Sequence, residues 1–413
     1  MDLPTLNRNL RFDLRDLPRY PGLTPELLRT AYREMLIARC HVERVVQECA
    51  KGTIKFAIWG SGEEVHGAAE AIAYSEVVNP EAFGICAHYR SAGLLAMWSR
   101  LRGYHDFHLD HMRQQLCKKT DPWSGGRLMT AHFNDLRHNI LPVQSALGMQ
   151  FGKAVGYAHG LRRKGHDDGL VVAVVGDGTT AESDMHEGMT GASILRLPVL
   201  LTVTDNNVAI SVKPEDGRGI KSFEAYAAAF GFAYFEVDGN DFLGCYEAAR
   251  KAATYCIEHQ APALMWVKNL SRLNNHSSAA DFTFEFDSYD PLIDFGEALV
   301  QAGICEPHEV LRRNGVTEGK DYFRRHEWGT IANEADNYVL ETMSTCAGEP
   351  EPTYEEVLSD VRPPFPAVSE APPENRPTAI SINGAIRSAL QAILRDNPMT
   401  WVYGQDVAKK GGV

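Results

Sequence analysis

No run of apolar residues in this 413-residue sequence approaches the length that crosses a bilayer, which excludes a spanning helix. The start, "MDLPTLNRNLRFDLRDLPRY", lacks the apolar core of a signal peptide, and its three aspartates are foreign to a transit peptide. A cytoplasmic protein with no membrane partner is expected. There is no CxxC pair; eight scattered cysteines point to free thiols in a reducing compartment rather than disulfides or zinc. Basic residues are in deficit, 41 against 54 acidic, for a formal net charge of -13. That field repels a phosphodiester backbone and excludes nucleic acid as the natural partner. No GxGxxG turn follows a strand, so a generic dinucleotide-binding protein fits poorly, and no repeat of solenoid length is present.

What is present is ordinary globular composition, 44% hydrophobic and 23% charged, with length for one large core or two domains. Residues 1–23 read as an extended arm. A helix follows, capped by Thr24, entered by Pro25 and stopped by Gly52. From about residue 145 the pattern alternates. A helix is expected in "QSALGMQFGKAVGYAHGLRRKG", a buried strand at 170–175, a helix at 183–195 and a second buried strand at 199–203. Further along come a helix near 222–230, a strand in "FAYFEV", a helix at 241–259 and a strand in "ALMWVK". This alternation predicts an α/β fold, a doubly wound parallel sheet with helices on both faces. The segment "PPFPAVSEAPPENRP" (363–377) reads as a proline-rich linker. After it a helix over 382–395 and a strand in "MTWVYG" start a second α/β domain that stops short.

The two buried strands end in polar clusters, Gly176-Asp177-Gly178 and Asp205-Asn206-Asn207. In a parallel sheet both open on the same edge, where ligands bind. Asp177 offers a carboxylate and Asn206 an amide oxygen, hard donors suited to magnesium, which completes its shell with water and phosphate oxygens. Gly176 and Gly178 allow close backbone approach, and the amides of Gly178 and Thr179, opening a helix, suit a diphosphate. Gly, Asp and Asn also form ordinary turns, so the pairing of the clusters carries the signal.

Gly-Asp-Gly followed one βαβ unit later by an Asn-containing turn resembles the thiamine-diphosphate fingerprint. The chain as a whole resembles the alpha subunit of 2-oxo acid dehydrogenase decarboxylating components, the branched-chain (2-oxoisovalerate) type in particular. The matching stretches include "GSGEEVHGAA" (60–69), "HYRSAGLLAMW" (88–98), "GGRLMTAHF" (125–133), "ILPVQSALGMQFGKAVGYA" (140–158), "VDGNDFLGCYEAARKA" (237–252) and "SRLNNHSSAADF" (271–282). The tail after 377 resembles the opening of the family's beta subunit. The resemblance therefore implies a thiamine-diphosphate-binding fold over 1–362, the linker, and at 378–413 the start of a truncated beta-type, transketolase-like pyrimidine domain.

Carried over residue by residue, the resemblance implies magnesium held by Asp177, Asn206 and the Val208 carbonyl. Asp205 stands where the family has its first Asn and Asn207 where it has Gly; Asn207 is the alternative ligand. Arg90, preceded by Tyr89, is implied at the diphosphate, for which a guanidinium fork is suited. Ser145 and Leu147 match positions near the aminopyrimidine. His276 matches the loop histidine that assists acyl transfer to lipoamide, a role suited to imidazole. Ala92 stands where pyruvate-specific members have His, which favours branched-chain substrates. Ala279-Ala280 and Asn275 depart from the family loop. Ser277 matches a phosphorylation site of mitochondrial members, although nothing in the chain implies a kinase. Asp184 and His186 read as helix supports.

The implied reaction is oxidative decarboxylation of a 2-oxo acid, with the acyl group passed to a lipoyl-bearing dihydrolipoamide acyltransferase. The implied assembly pairs with a beta-type domain, fused or separate, as a homodimer or heterotetramer. The family's activating glutamate lies in that beta half, and Gln405 stands where its opening usually has Glu, so the 413-residue chain alone is expected to be inactive. Alternatives are a pyruvate or acetoin dehydrogenase component of the same layout and, in another class, a non-catalytic alpha-like assembly subunit.

Overall fold

The computed structural model describes residues 10–128, 130–278, 289–313, 326–359 and 381–402. Six parallel strands, β1 (Phe83–Cys86), β2 (Ile140–Leu141), β3 (Leu170–Gly176), β4 (Val199–Thr204), β5 (Ala233–Asp238) and β6 (Ala263–Lys268), form one sheet in the order β2-β1-β3-β4-β6-β5. All of β3 and β4 is buried, the consequence of unbroken apolar runs covered on both faces. Side chains alternate between faces. Leu170, Val172 and Val174 enter one core; Val171, Ala173 and Val175 enter the other.

The first core is closed by α1 (Pro25–Lys51), α2 (Glu64–Val77) and α3 (Ala92–Leu101), while α4 (Phe107–Gln115) adds Phe107 and Met112 to it. The second is closed by α5 (Met149–Arg163) and α6 (Ser183–Leu195); beyond the short α7 (Pro214–Gly217), α8 (Phe223–Ala229) adds Phe223 and Ala227. On the first face α9 (Phe242–His259), α10 (Pro291–Gln301) and α11 (Thr330–Ala347) complete the layer. The doubly wound α/β architecture is as the alternation predicts.

Local chemistry sets the ends. Thr24 Oγ1 accepts the Leu27 N–H at 3.2 Å and Gly52 closes α1 at φ +79°. The arm expected over 1–23 is not wholly extended. Leu14–Arg19 form a 3-10 helix whose Asp13 cap accepts the Arg15 N–H, a local bond extended chain would forgo. The helix read into "QSALGMQFG" begins only at Met149, because Gly148 turns the chain at φ +87°. All eight cysteines are free, and no described helix is long and apolar enough to cross a membrane.

The chain divides into two compact units, Met1–Val357 and Leu358–Val413. In the second, Ser381 caps the helix Ile382–Asp396, whose Ile382, Ile386 and Leu390 are exposed. The strand expected in "MTWVYG" is not formed over its described part, 399–402. Asn397 instead turns the chain, accepting from Met399 N–H and Thr400 N–H, and a lone strand has nothing to pair with among the described residues of this unit. The 363–377 linker, Ala279, Ala280 and Gln405 lie outside the described residues.

Candidate functional site

From β1 the chain moves outward to β2, then returns to lay β3 on the other side of β1. Such a switch point opens a crevice outside the carboxyl ends of the strands, the usual ligand position in an open parallel sheet. Here it lies between His88-Tyr89-Arg90, after β1, and Asp177-Gly178-Thr179, after β3. A cavity of about 280 Å³ opens there, lined by Tyr89, Arg90, Ser145, Leu147, Gly176, Asp177, Gly178, Thr179 and His276. Residues separated by nearly two hundred positions thus converge on one space.

Asn206 lies apart from this wall. It lines a small polar crevice that shares Arg90 and His276 with the main cavity, and its Oδ1 accepts the Val208 N–H at 3.3 Å. Val208 is buried, and Asn207 occupies the left-handed region at φ +61°, which Asn tolerates better than most residues. The turns after β3 and β4 abut closely, since a Cβ added to Gly178 would meet Ala209 Cβ at 2.5 Å.

Arg90 is held rigidly. Its Nε donates to Glu63 Oε1 at 2.8 Å, its NH1 to the Tyr89 hydroxyl at 3.0 Å, and its guanidinium lies 4.8 Å from the Tyr89 ring centre. The Tyr89 hydroxyl also meets His276 Nε2 at 3.0 Å. Burial, then Arg90 and Arg272, hold His276 down at about 4, so it is neutral at pH 7. Burial alone would raise Glu63, but Arg90 and His66 override it and hold the carboxyl at about 2. His66 in turn is about 9: burial opposes the charge, and Glu63 and Glu70 outweigh it. Ser145 is fixed from behind by His132, whose Nδ1 donates to Thr130 O at 3.0 Å and whose Nε2 accepts the Ser145 hydroxyl at 2.7 Å.

The fit to a cation can be tested on Asp177. It is 3% exposed, and burial, then Asp205, raise its carboxyl to about 6 despite Arg218 and Arg90. A carboxylate so under-compensated favours a further positive charge. Among the described residues no group of three or more His, Cys, Asp or Glu is arranged for a metal. A site here would draw on one carboxylate with amide and carbonyl oxygens, the hard set that magnesium accepts. Two buried polar atoms at the cavity, His88 Nδ1 and Gln144 Oε1, have no hydrogen-bond partner among the described residues, as befits a wall built for a polar ligand.

Sequence reasoning did not single out His88, His132, Gln144, Glu63 or Arg218, and gave Asp205 no role at the site. The first four sit inside or beside the quoted blocks and were discoverable by asking what surrounds Arg90 and Ser145. Arg218, on the loop after α7, has no motif around it. It reaches Asp205 Oδ2 at 3.0 Å and Asp177 Oδ2 at 3.6 Å.

The family model described as dehydrogenase E1 component matches residues 32–311. The 2-oxoisovalerate dehydrogenase subunit alpha of Bacillus subtilis (strain 168) is 29% identical over 292 residues, 68% of this chain and 84% of that protein. The mitochondrial 2-oxoisovalerate dehydrogenase subunit alpha of Caenorhabditis elegans is 25% identical over 326 residues, 79% of this chain and 70% of its own. The Homo sapiens counterpart is 24% identical over 350 residues, covering 84% and 73%. A solved Mycobacterium smegmatis chain described as a thiamin diphosphate-dependent enzyme overlaps only in part, with 17% identity and TM-score 0.33 over 51% of this chain and 32% of its own. The matched span runs from within α1 to beyond α10 and takes in the whole sheet and every residue of the cavity: the chain belongs to the dehydrogenase E1 component family.

Proposed function

We propose that this chain is the alpha-type half of a thiamine-diphosphate- and magnesium-dependent 2-oxo acid dehydrogenase component that oxidatively decarboxylates a branched-chain 2-oxo acid. The acyl group passes to the lipoyl group of a partner acyltransferase in the cytoplasm. The observation that carries this reading is the convergence of Tyr89-Arg90, Ser145, the Gly176–Thr179 turn and His276 on one cavity at the switch point of the sheet.

Asp177, the Asn206 side chain and the Val208 carbonyl would hold magnesium. Arg90 and the Gly178 and Thr179 amides would face the diphosphate, and Ser145 with Leu147 the aminopyrimidine. When bound, thiamine diphosphate supplies the nucleophilic carbon and the electron sink for decarboxylation. Glu63 and Tyr89 keep the Arg90 fork in place before any anion arrives, so little ordering remains to be done on binding. His276, neutral and aimed by Tyr89, is poised to take a proton as the acyl group leaves. Ile58, Val143, Leu147 and Ile210 give the cavity an apolar wall, which suits a branched aliphatic side chain. The helix Ile382–Asp396, with its exposed apolar stripe, is assigned to the opening of a beta-type domain beyond the 363–377 linker.

The test combines the chain with a beta-type partner and follows reduction of an artificial electron acceptor. Branched-chain 2-oxo acids are expected to outperform pyruvate and acetoin, with full dependence on thiamine diphosphate and magnesium. Assembly without tight cofactor binding would favour the non-catalytic alternative instead.

A further inference from the structure

The ladder between β3 and β4 pairs Gly176 with Thr204, so the next residues, Asp177 and Asp205, leave the sheet side by side. Both are buried, at 3% and 1% exposure. Asp205 Oδ1 accepts the Asn207 N–H at 2.9 Å, a turn-forming bond that a neutral asparagine oxygen would make equally well. The turn therefore does not explain the charge. The other oxygen, Oδ2, accepts from Trp266 Nε1 at 3.0 Å and from Arg218 NH1 at 3.0 Å, and the same NH1 lies 3.6 Å from Asp177 Oδ2. Arg218 spans the two acids, its guanidinium 4.9 Å from the Phe223 ring centre and its Nε–H buried with no acceptor among the described residues. Arg90 is the other cation acting on Asp177.

We propose that Asp205 and Arg218 are a charge-matched pair that sets how this sheet edge chooses between a bare divalent cation and one arriving with a diphosphate. The inference rests on the metal-site reading of Asp177 given above. With the pair intact, the two acids and one guanidinium carry a single net negative charge, as Asp177 would alone. Arg218 competes with a bare cation for Asp177, yet its positive charge, 3.6 Å from that carboxylate, favours an anion beside the cation. Loss of Arg218 therefore moves the two affinities in opposite directions, whereas a residue that only straps the turn would move both the same way.

The experiment uses the full 413-residue chain, titrated with Mn²⁺ by electron paramagnetic resonance and with inorganic diphosphate in saturating Mg²⁺ by calorimetry. Arg218→Gln is expected to bind Mn²⁺ about tenfold more tightly and diphosphate about tenfold more weakly, the scale of removing one charge a few ångströms from a bound ion. Asp205→Asn is expected to shift both in the reverse sense, and the double variant to return near the parent in both. If Arg218→Gln does not fold, Asp205→Asn carries the test, since its amide oxygen keeps the Asn207 bond. Shifts of the same sign, or a double variant as altered as Arg218→Gln, overturn the pair. Mn²⁺ binding untouched by Arg218→Gln overturns the pair alone; no Mn²⁺ binding to the unaltered chain overturns the metal-site reading with it.

Discussion

Glu43, on α1 and 5% exposed, is a buried acid beneath the site. The Ser61 hydroxyl and the Asn274 amide donate to its Oε1 at 3.0 and 2.8 Å, so it clamps the segment that carries His276 two residues later. Burial pushes its carboxyl up to about 7, with Arg39 opposing and Glu64 reinforcing. The folded value lies above the unfolded one, so folding favours the protonated acid. That stabilisation is complete below the unfolded value and is lost as pH rises through about 7, up to about 3 kcal/mol in all. Glu43→Gln, neutral at every pH, is expected to match the parent below the unfolded value and to exceed it by a margin that opens as pH rises to about 7 and then levels off. Urea midpoints across about pH 5 to 9 check this, and a constant gap would refute it.

At the scale of elements, the seam between the turns after β3 and β4 is the sensitive feature. Gly178→Ala is expected to destabilise the chain by about 1–3 kcal/mol through overpacking, because its new methyl meets Ala209 Cβ at 2.5 Å. Ala209→Gly in the same chain should recover most of that loss, as thermal unfolding of the single and double variants would register. Much of this scale was legible. β3 and β4 announce themselves as unbroken apolar runs, and Thr24, Pro25 and Gly52 mark α1 at both ends. β1 and β2 were not, being four and two residues long, too short to show a period. Yet β1 delivers Tyr89 and Arg90, so the site was read from its motif before its scaffold was visible. The insertion of β6 between β4 and β5 leaves no mark in local sequence either. Arg218 was unreadable for the same reason: its meaning lies in two carboxylates distant along the chain.

For the whole molecule, one fully buried cation joins the helical layer. Arg39 of α1 forks onto Glu64 of α2 at 2.7 Å through Nε and NH2, and reaches Asp290, the cap of α10, at 2.8 Å. Arg39→Met removes the cation that two buried acids share and is expected to cost about 3–5 kcal/mol; adding Glu64→Gln and Asp290→Asn should regain much of it, measured by denaturant midpoints. Glu64 has a neighbour with a separate allegiance, because Glu63, one residue earlier, holds Arg90 in the cavity. A single peptide link thus joins the fastening of α1, α2 and α10 to the guanidinium that lines the cavity. A displacement of α1 or α10 that carried Glu64 with it would turn this link as well, so the packing of those helices and the aim of Arg90 become one mechanical variable.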